Sequence, residues 1–575
     1  MEYRRTFFMQ STNIYQKSLP KARKPQLFVA FFKIALILCG TYLSLVLNTQ
    51  SAVFFFQAFN GQNTLVAACI AVFAVFVLVC LIFLLFCKSF LENLYARVRA
   101  HSRTTQALLL LFAMRCAGIY IVQFYANANV NIAYLNNIKA WWFHLPSALG
   151  IAENPLSFTL PQWVLSLLFF IPLTVFYLFF ATSLFEAVKS VLTTLTKGER
   201  RFLCIAAVLT FIYVVLLYNN TDIYYGGLDR IYSYDSLPNS SYLINPFYYW
   251  SYYQYPLEPN LSMPILQLAD LLPEMSLWRT IAHTLVQVWL LLIAYVMLSR
   301  MISKDRYVRL LALLIFSFSF PTLVLAVVTE RRVITLIFVL IAIYQSLSRQ
   351  RDEELWISAA SGAVICNAYV FLLTLKPKKD FWKDVLICGF TFAFLLMFFG
   401  KASGLLDLRT QINNFESRGW MDENLSGNTK LMHYLCFVRT SLIAPPSHPS
   451  ETQKSWVMAI PDFYSIIGIV LLVLVLLGFV ANYKDRLAQV AFAGVLASFF
   501  FVFIKALNIN ENAVVLNTLF FAWAFVTLMI MAVDKLVRHR AAKYVLLTGV
   551  FAGCMIYNAV AALQLYQFGL TAYPI

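Results

Sequence analysis

An all-α, polytopic membrane helix bundle is the fold class this chain predicts, on three observations. Hydrophobic residues make up 61% of its 575 positions and charged residues only 12%, against about 25% charged in a soluble domain. With mean hydropathy +0.72, such a chain would bury far more apolar surface in water than it could enclose, so the bilayer must be its solvent. Apolar runs recur at the length of a membrane helix, about 17–25 residues. Lys and Arg gather in the loops between alternate runs.

The runs lie near 26–47, 65–87, 107–126, 163–186, 202–218, 281–299, 309–328 and 333–347, then 355–375, 384–400, 461–481, 488–505, 513–533 and 544–566. That is about 13–14 hydrophobic segments, because 355–375 (LWISAASGAVICNAYVFLLTL) does not read as an ordinary span. Its Ser358, Ser361, Gly362 and Asn367 suggest a helix pair or a re-entrant element inside the bundle. The organisation follows: a cytoplasmic basic tail at 1–25, a four-span region at 26–201, a central membrane region at 202–400 carrying a loop at 219–280, a second loop at 401–460, and a C-terminal membrane region at 461–575.

Most of the 44 basic residues fall in 4–24, 88–103, 189–201, 300–309, 349–351, 376–383, 484–486 and 535–543. Positive loops stay in the cytoplasm, so these mark one side, with the N-terminus among them. The net charge of +17 is then a topological signal, and nucleic acid is not a partner. Clusters 349–351 and 376–383 fall on the same side although one apolar segment separates them. If 355–375 enters and leaves on one face, every later loop alternates correctly. Both long loops and the C-terminus are then expected outside.

Three sets of residues carry candidate chemistry. In VVTERRVITL (327–336), Glu330, Arg331 and Arg332 interrupt an apolar stretch on the side where arginines are rare. Two readings stand: a local Glu–Arg pair or snorkelling arginines, and a guanidinium pair gripping phosphate in forked geometry. Arg115, within LLLLFAMRCAGIYIVQFY, is a second intramembrane charge that calls for an anionic partner. Glu330 or a bound phosphate could serve it.

The loop 219–280 holds Asp222, Asp229 and Asp235 directly after a span, with ten tyrosines and Trp250. Such aromatic density argues against disorder, and tyrosine offers sugar rings a flat face with a polar tip. A carboxylate there can act as a general base on an acceptor hydroxyl. Asp229 leads the three, because Arg230 adjoins it and Gly226-Gly227 lets backbone approach a ligand. Loop 401–460 combines Arg409, Arg418 and Arg439 with His433, as a phosphate-gripping or acceptor-binding lid. Its histidines have no metal-ligand spacing, so no metal site is predicted and a divalent cation is the one cofactor left open.

No P-loop, dinucleotide turn or GxSxG is present, and no soluble region could hold a nucleotide. Nine of the ten cysteines lie in or beside apolar segments, which excludes an outer disulfide framework. Asn-x-Ser/Thr triplets at Asn219, Asn239, Asn260 and Asn424 all fall in the outer loops.

Many spans, short basic inner loops and a long aromatic, Asp-bearing outer loop directly after a span resemble the glycosyltransferase-C class. The resemblance covers the whole chain as architecture and involves no diagnostic motif. It implies transfer of a sugar from a polyprenyl-phosphate carrier to a glycan or lipid acceptor outside a bacterial inner membrane. The family's acidic loop follows its first span, whereas residues 48–64 contain no acid. The resemblance therefore requires spans 1–4 to be an addition and the shared core to begin at span 5. Two other classes stay open. An O-antigen polymerase or ligase would use Arg409, Arg418 and Arg439 on a donor pyrophosphate. A glycolipid flippase or other transporter would need charged or broken helices lining a cavity.

Overall fold

A computed structural model describes residues 28–36, 74, 78, 88–128, 160–224, 231, 257–266, 277–328, 331–348, 352–374, 381–399, 424–450, 455–459, 461–507 and 513–575. Helix dominates these residues, as expected of an all-α polytopic bundle, and one two-stranded antiparallel sheet accompanies it. Seven helices among the described residues are long and apolar enough to cross a membrane. The chain divides into two compact units.

The first unit comprises Met1–Glu186, Ser348–Arg351 and Ala393–Leu406. Helix α1 (Arg103–Ala128) and most of α2 (Leu160–Thr193) belong to it. Its core is aromatic: Tyr120 meets Phe169 at 5.7 Å and Phe399 at 5.8 Å, and Phe176 meets Phe399 edge-on at 5.0 Å. In a bilayer such contacts provide much of the attraction between helices, since lipid tails remove the ordinary hydrophobic drive. The basic segment 88–103 is fastened to the end of α2, where Arg97 donates to Glu186 at 2.6 Å and His101 Nε2 lies 3.4 Å from the same carboxylate.

The second unit holds Ala187–Leu347, Asp352–Phe392 and Asp407–Ile575. Early in it come α3 (Lys197–Asn220), α4 (Glu258–Leu266), α5 (Leu277–Ile302), α6 (Arg306–Phe318), α7 (Arg331–Leu347), α8 (Glu353–Ala363) and α9 (Phe381–Phe398), whose last turns join the first unit. Next are α10 (Gly427–Thr440), β1 (Ser447–Ser450), β2 (Ser455–Met458), α11 (Ile466–Ala481), α12 (Arg486–Ser498), α13 (Thr518–Leu536) and α14 (Arg540–Ala572). Central to this unit are α7 and α13, buried at every residue from Arg331 to Ser346 and from Thr518 to Val533. Peripheral α3 and α14 expose Ile205, Val208, Val545, Ile556 and Val560. Those apolar faces suit lipid, and in water they would be a liability. A Cβ on Gly478 of α11 would strike the carbonyl oxygen of Leu528 in α13. Only glycine lets the two backbones approach so closely.

The second unit has two distinct ends. At one, the basic loops meet. Arg300 Nη2 donates to Glu199 at 2.8 Å, Tyr544 to Asp305 at 2.6 Å, and Lys543 to Asp534 at 2.6 Å. Helix starts are capped here: Thr196 and Glu199 form a reciprocal capping box on α3, and Asp305 and Asp485 cap α6 and α12. Burial pushes the Asp305 carboxyl up, but hydrogen bonds from Tyr544, Tyr307 and Val308 outweigh it and hold the group below its ordinary value. At the opposite end Thr221 pairs with Pro574, the Asp222 N–H donates to Tyr573 O at 2.9 Å, and Ile231 pairs with Trp456. Both long loops and the C-terminus thus share one end, as the charge pattern requires.

Two expected spans are broken. The run 309–328 is not one helix: α6 stops at Phe318, Ser319 is extended, and a π-helical turn at Pro321–Leu325 follows. Proline supplies no N–H to the ladder, and a break inside lipid must have its carbonyls satisfied by neighbours. Tyr213 donates to Leu323 O, Tyr218 to Val327 O at 3.1 Å, and Gln287 to both Ala326 O and Val328 O at 2.9 and 2.7 Å. The run 355–375 is a helix pair, α8 and a 3₁₀ segment Ile365–Thr374, joined through extended Val364. Arg486, at the basic end, donates to Leu372 O at 2.8 Å. The pair begins after α7, whose Tyr344 adjoins Arg300 of that same end. It therefore enters and leaves on one side.

Candidate functional site

The break after α6 determines where Arg331 and Arg332 stand. With the chain arrested at Val328 by Gln287, α7 opens on two arginines inside the protein, 5% and 9% exposed. Arginine in the first turn opposes the helix dipole, and two buried guanidiniums need counter-charge. Glu258, fully buried at the start of α4, supplies one: its Oε2 lies 3.6 Å from Arg331 Nε. Glu330, the partner expected from sequence, lies outside the described residues; Glu258 comes from the first long loop.

Helix α5 lines the same region. Arg279, His283 and Gln287 recur at four-residue intervals on one buried stripe, with Thr280 and Thr284 beside them. Gln287 is bonded to the turn just before Arg331, and Thr284 lies 3.3 Å from the Tyr218 hydroxyl. From the other side comes the tip of the α8 pair. The Leu257 N–H donates to Gly362 O at 2.9 Å, which joins the start of α4 to the end of α8. Glu258 and Arg331 thus meet in a buried region among α4, α5, α7 and the α8 pair, with buried Arg332 next in the chain. Two buried guanidiniums at the start of a helix are of a chemistry that suits an anion.

The other sequence candidates are distributed differently. Asp222 is half-buried in a 3₁₀ turn directly after α3, at the end shared by both loops and the C-terminus. Asp229, Asp235, Trp250, Arg409 and Arg418 lie outside the described residues. Arg115 belongs to the first unit and is exposed on α1, not turned into that unit's core. His433 and Arg439 sit on α10, His433 buried and Arg439 half-buried in the last turn. Desolvation lowers the His433 pKa, and burial pushes the nearby Cys436 thiol up to about 11. No group of metal-ligating side chains occurs among the described residues.

The described part of the second long loop is anchored to the bundle. Asn558 of α14 accepts from the Ala444 N–H at 2.8 Å and donates to Phe318 O and Leu442 O at 2.7 and 2.9 Å. It fixes the segment after α10 to the end of α6. The Asn260 triplet lies within α4 and is fully buried, so the folded chain does not offer it as a surface acceptor.

Glu258, Arg279 and His283 were not singled out from sequence. The α5 residues carried a usable signal, since polar residues at i, i+4 and i+8 within an apolar helix mark one inward stripe. Glu258 carried little, because it lies in a proline-flanked loop segment, PLEPN, and its burial depends on a distant fold. Comparison with known protein families, curated proteins and solved structures yields no match to this chain.

Proposed function

We propose that the protein is a membrane glycosyltransferase that takes a sugar from a polyprenyl-phosphate carrier and passes it to a glycan or lipid acceptor at the end where both long loops meet. The observation that supports this reading is the buried guanidinium pair at the start of α7, with Glu258 3.6 Å from Arg331. A phosphate there would meet two forked donors and the first-turn N–H groups of a helix, which together suit phosphate oxygens. In transfer, an acceptor hydroxyl attacks the anomeric carbon, the carbon–oxygen bond to phosphate breaks, and the lipid phosphate leaves with the charge. Arg331 and Arg332 would stabilise that developing charge. The hydroxyl proton would pass to a carboxylate of the first loop, with Asp229, Asp222 and Asp235 as the candidates. Glu258 would hold Arg331 in place, the role first considered for Glu330. Arg409, Arg418, Arg439 and His433 would serve the acceptor side.

The test is sugar transfer from a polyprenyl-phosphate donor in membranes, with donor titrated. Arg331→Lys and Arg332→Lys keep charge and lose the fork, and hydrogen bonds to charged groups are worth about 1.5–3 kcal/mol. Donor use should fall by about tenfold or more. Unchanged donor dependence in both variants would leave these residues as structural anchors.

A second reading has its own observation. The α8 pair from one side and α4 from the other are short elements that meet inside the bundle, an arrangement transporters use at midplane sites. A glycolipid flippase built on the same arginines would move a fluorescent lipid-linked sugar across proteoliposomes without an acceptor. A transferase would not.

A further inference from the structure

The start of α6 and the turn between α13 and α14 meet at the basic end. Tyr544 of α14 donates to Asp305 at 2.6 Å, and its ring lies 5.4 Å from that of Tyr307 on α6. Arg306 lies over the Tyr307 ring at 4.8 Å and donates to its hydroxyl at 2.9 Å. Lys543 donates to Asp534 at 2.6 Å, which draws the end of α13 against the start of α14. Segments 303–309 and 534–544 carry seven Lys and Arg, and both of their acids are engaged in these contacts. Lys304, Arg306, Lys535, Arg538 and Arg540 are exposed.

The same tripeptide elsewhere in the chain is used differently. Lys484-Asp485-Arg486 repeats Lys304-Asp305-Arg306, and both aspartates cap a helix. Arg486 donates to Leu372 O and Gln489 at 2.8 and 3.0 Å, so its guanidinium is committed to the protein. Exposed Arg306 instead stands on an exposed tyrosine, with further N–H groups to offer. Directly beyond the cations α14 exposes Val545 and Leu546, 71% and 50%, on a helix long and apolar enough to cross a membrane. Charge at a helix end followed by bare apolar surface is the order of a phospholipid, phosphate first and acyl chains next. A soluble acidic partner would match the cations and leave that apolar surface in water.

We propose that the start of α6 and the α13–α14 turn form one surface for the phosphate headgroup of an acidic phospholipid in the leaflet at the basic end. Arg306 and Arg540, one from each helix of the Tyr307–Tyr544 contact, hold the phosphate. Tyr307 sits at headgroup level, as interfacial tyrosines do. This surface stands whether or not the protein transfers sugar.

In the experiment, full-length protein stripped of lipid in detergent is titrated with phosphatidylglycerol and with phosphatidylcholine of the same acyl chains. Native mass spectrometry counts the bound lipid. Wild type should hold phosphatidylglycerol tighter. Each cation near an anionic lipid surface favours binding by about fivefold, so Arg306→Gln with Arg540→Gln should lower that preference by about tenfold or more. Arg200→Gln with Arg201→Gln, exposed cations at the start of α3, should leave it within about twofold of wild type. Without lipid, both double variants should melt as wild type does, because the altered side chains are exposed. Wild type without a preference overturns the surface. Equal losses in the two double variants overturn it too, by showing diffuse charge. Displacement of phosphatidylglycerol by inorganic phosphate would make this a site for a free anion and not for lipid. A lower melting temperature of the Arg306, Arg540 variant without lipid would make the two arginines supports of the fold.

Discussion

At the scale of single residues, the ion pair between Glu258 and Arg331 carries the sharpest expectation. Removing one partner of a buried pair leaves the other charge uncompensated, at about 3–5 kcal/mol. Glu258→Gln should therefore lower stability by an amount of that order, measured by thermal or denaturant unfolding in detergent. A bound phosphate should restore part of it, because the ligand would take over as counter-ion to Arg331. His433 gives the pH dependence. Burial lowers its folded pKa, so below the unfolded value of about 6.5 the unfolded chain binds a proton that the folded chain resists. Stability is then lost as pH falls from about 6.5 towards the folded pKa, and is unaffected above that window. His433→Gln should flatten the slope in this window, seen as a melting temperature that no longer drops between neutral and mildly acidic pH.

Elements are held by a few close contacts. Gly478 lets α11 lie against the carbonyl of Leu528, so Gly478→Leu must push α11 away from α13. Overpacking of this kind typically costs about 1–3 kcal/mol, and collision with backbone leaves little room to relax. The expected result is a lowered melting temperature and faster proteolysis after α11. Asn558 is the corresponding anchor for the second loop. Asn558→Leu removes three hydrogen bonds, two of them fully buried, to Ala444, Phe318 and Leu442, and a buried partner left unpaired costs about 1–3 kcal/mol. Hydrogen exchange should rise in 441–446 and at the end of α6 and leave α3 unchanged. A uniform rise across all helices would show that Asn558 holds the whole fold and not one loop.

For the whole molecule, sidedness is the property that everything else depends on. Thr221 with Pro574 and Ile231 with Trp456 tie both loops and the C-terminus to one end of the second unit. Glu199 with Arg300, and Asp305 with Tyr544, tie the basic loops to the other. Tags at 240, 430 and the C-terminus should therefore report one compartment, and tags at 195 and 378 the other. A tag at 378 on the same side as 430 would mean that the α8 pair crosses the membrane, which its hydrogen bond from Arg486 to Leu372 contradicts.

The sequence by itself determined the class of fold, the places of most helices and the grouping of loops by side. Each of these follows from hydropathy and charge, which act locally and are written in consecutive residues. The odd composition of 355–375 even pointed to a helix pair or a re-entrant element, and the structure shows the pair. Only tertiary structure decided which carboxylate faces Arg331, because Glu258 is 73 positions away and is brought there by packing. It also decided that 309–328 breaks at Ser319, since such a break depends on donors from Tyr213, Tyr218 and Gln287 on other helices. Hydropathy shows that a segment prefers lipid to water. It does not show which polar atoms will meet inside, because the energy of those meetings belongs to pairs of residues far apart in the chain.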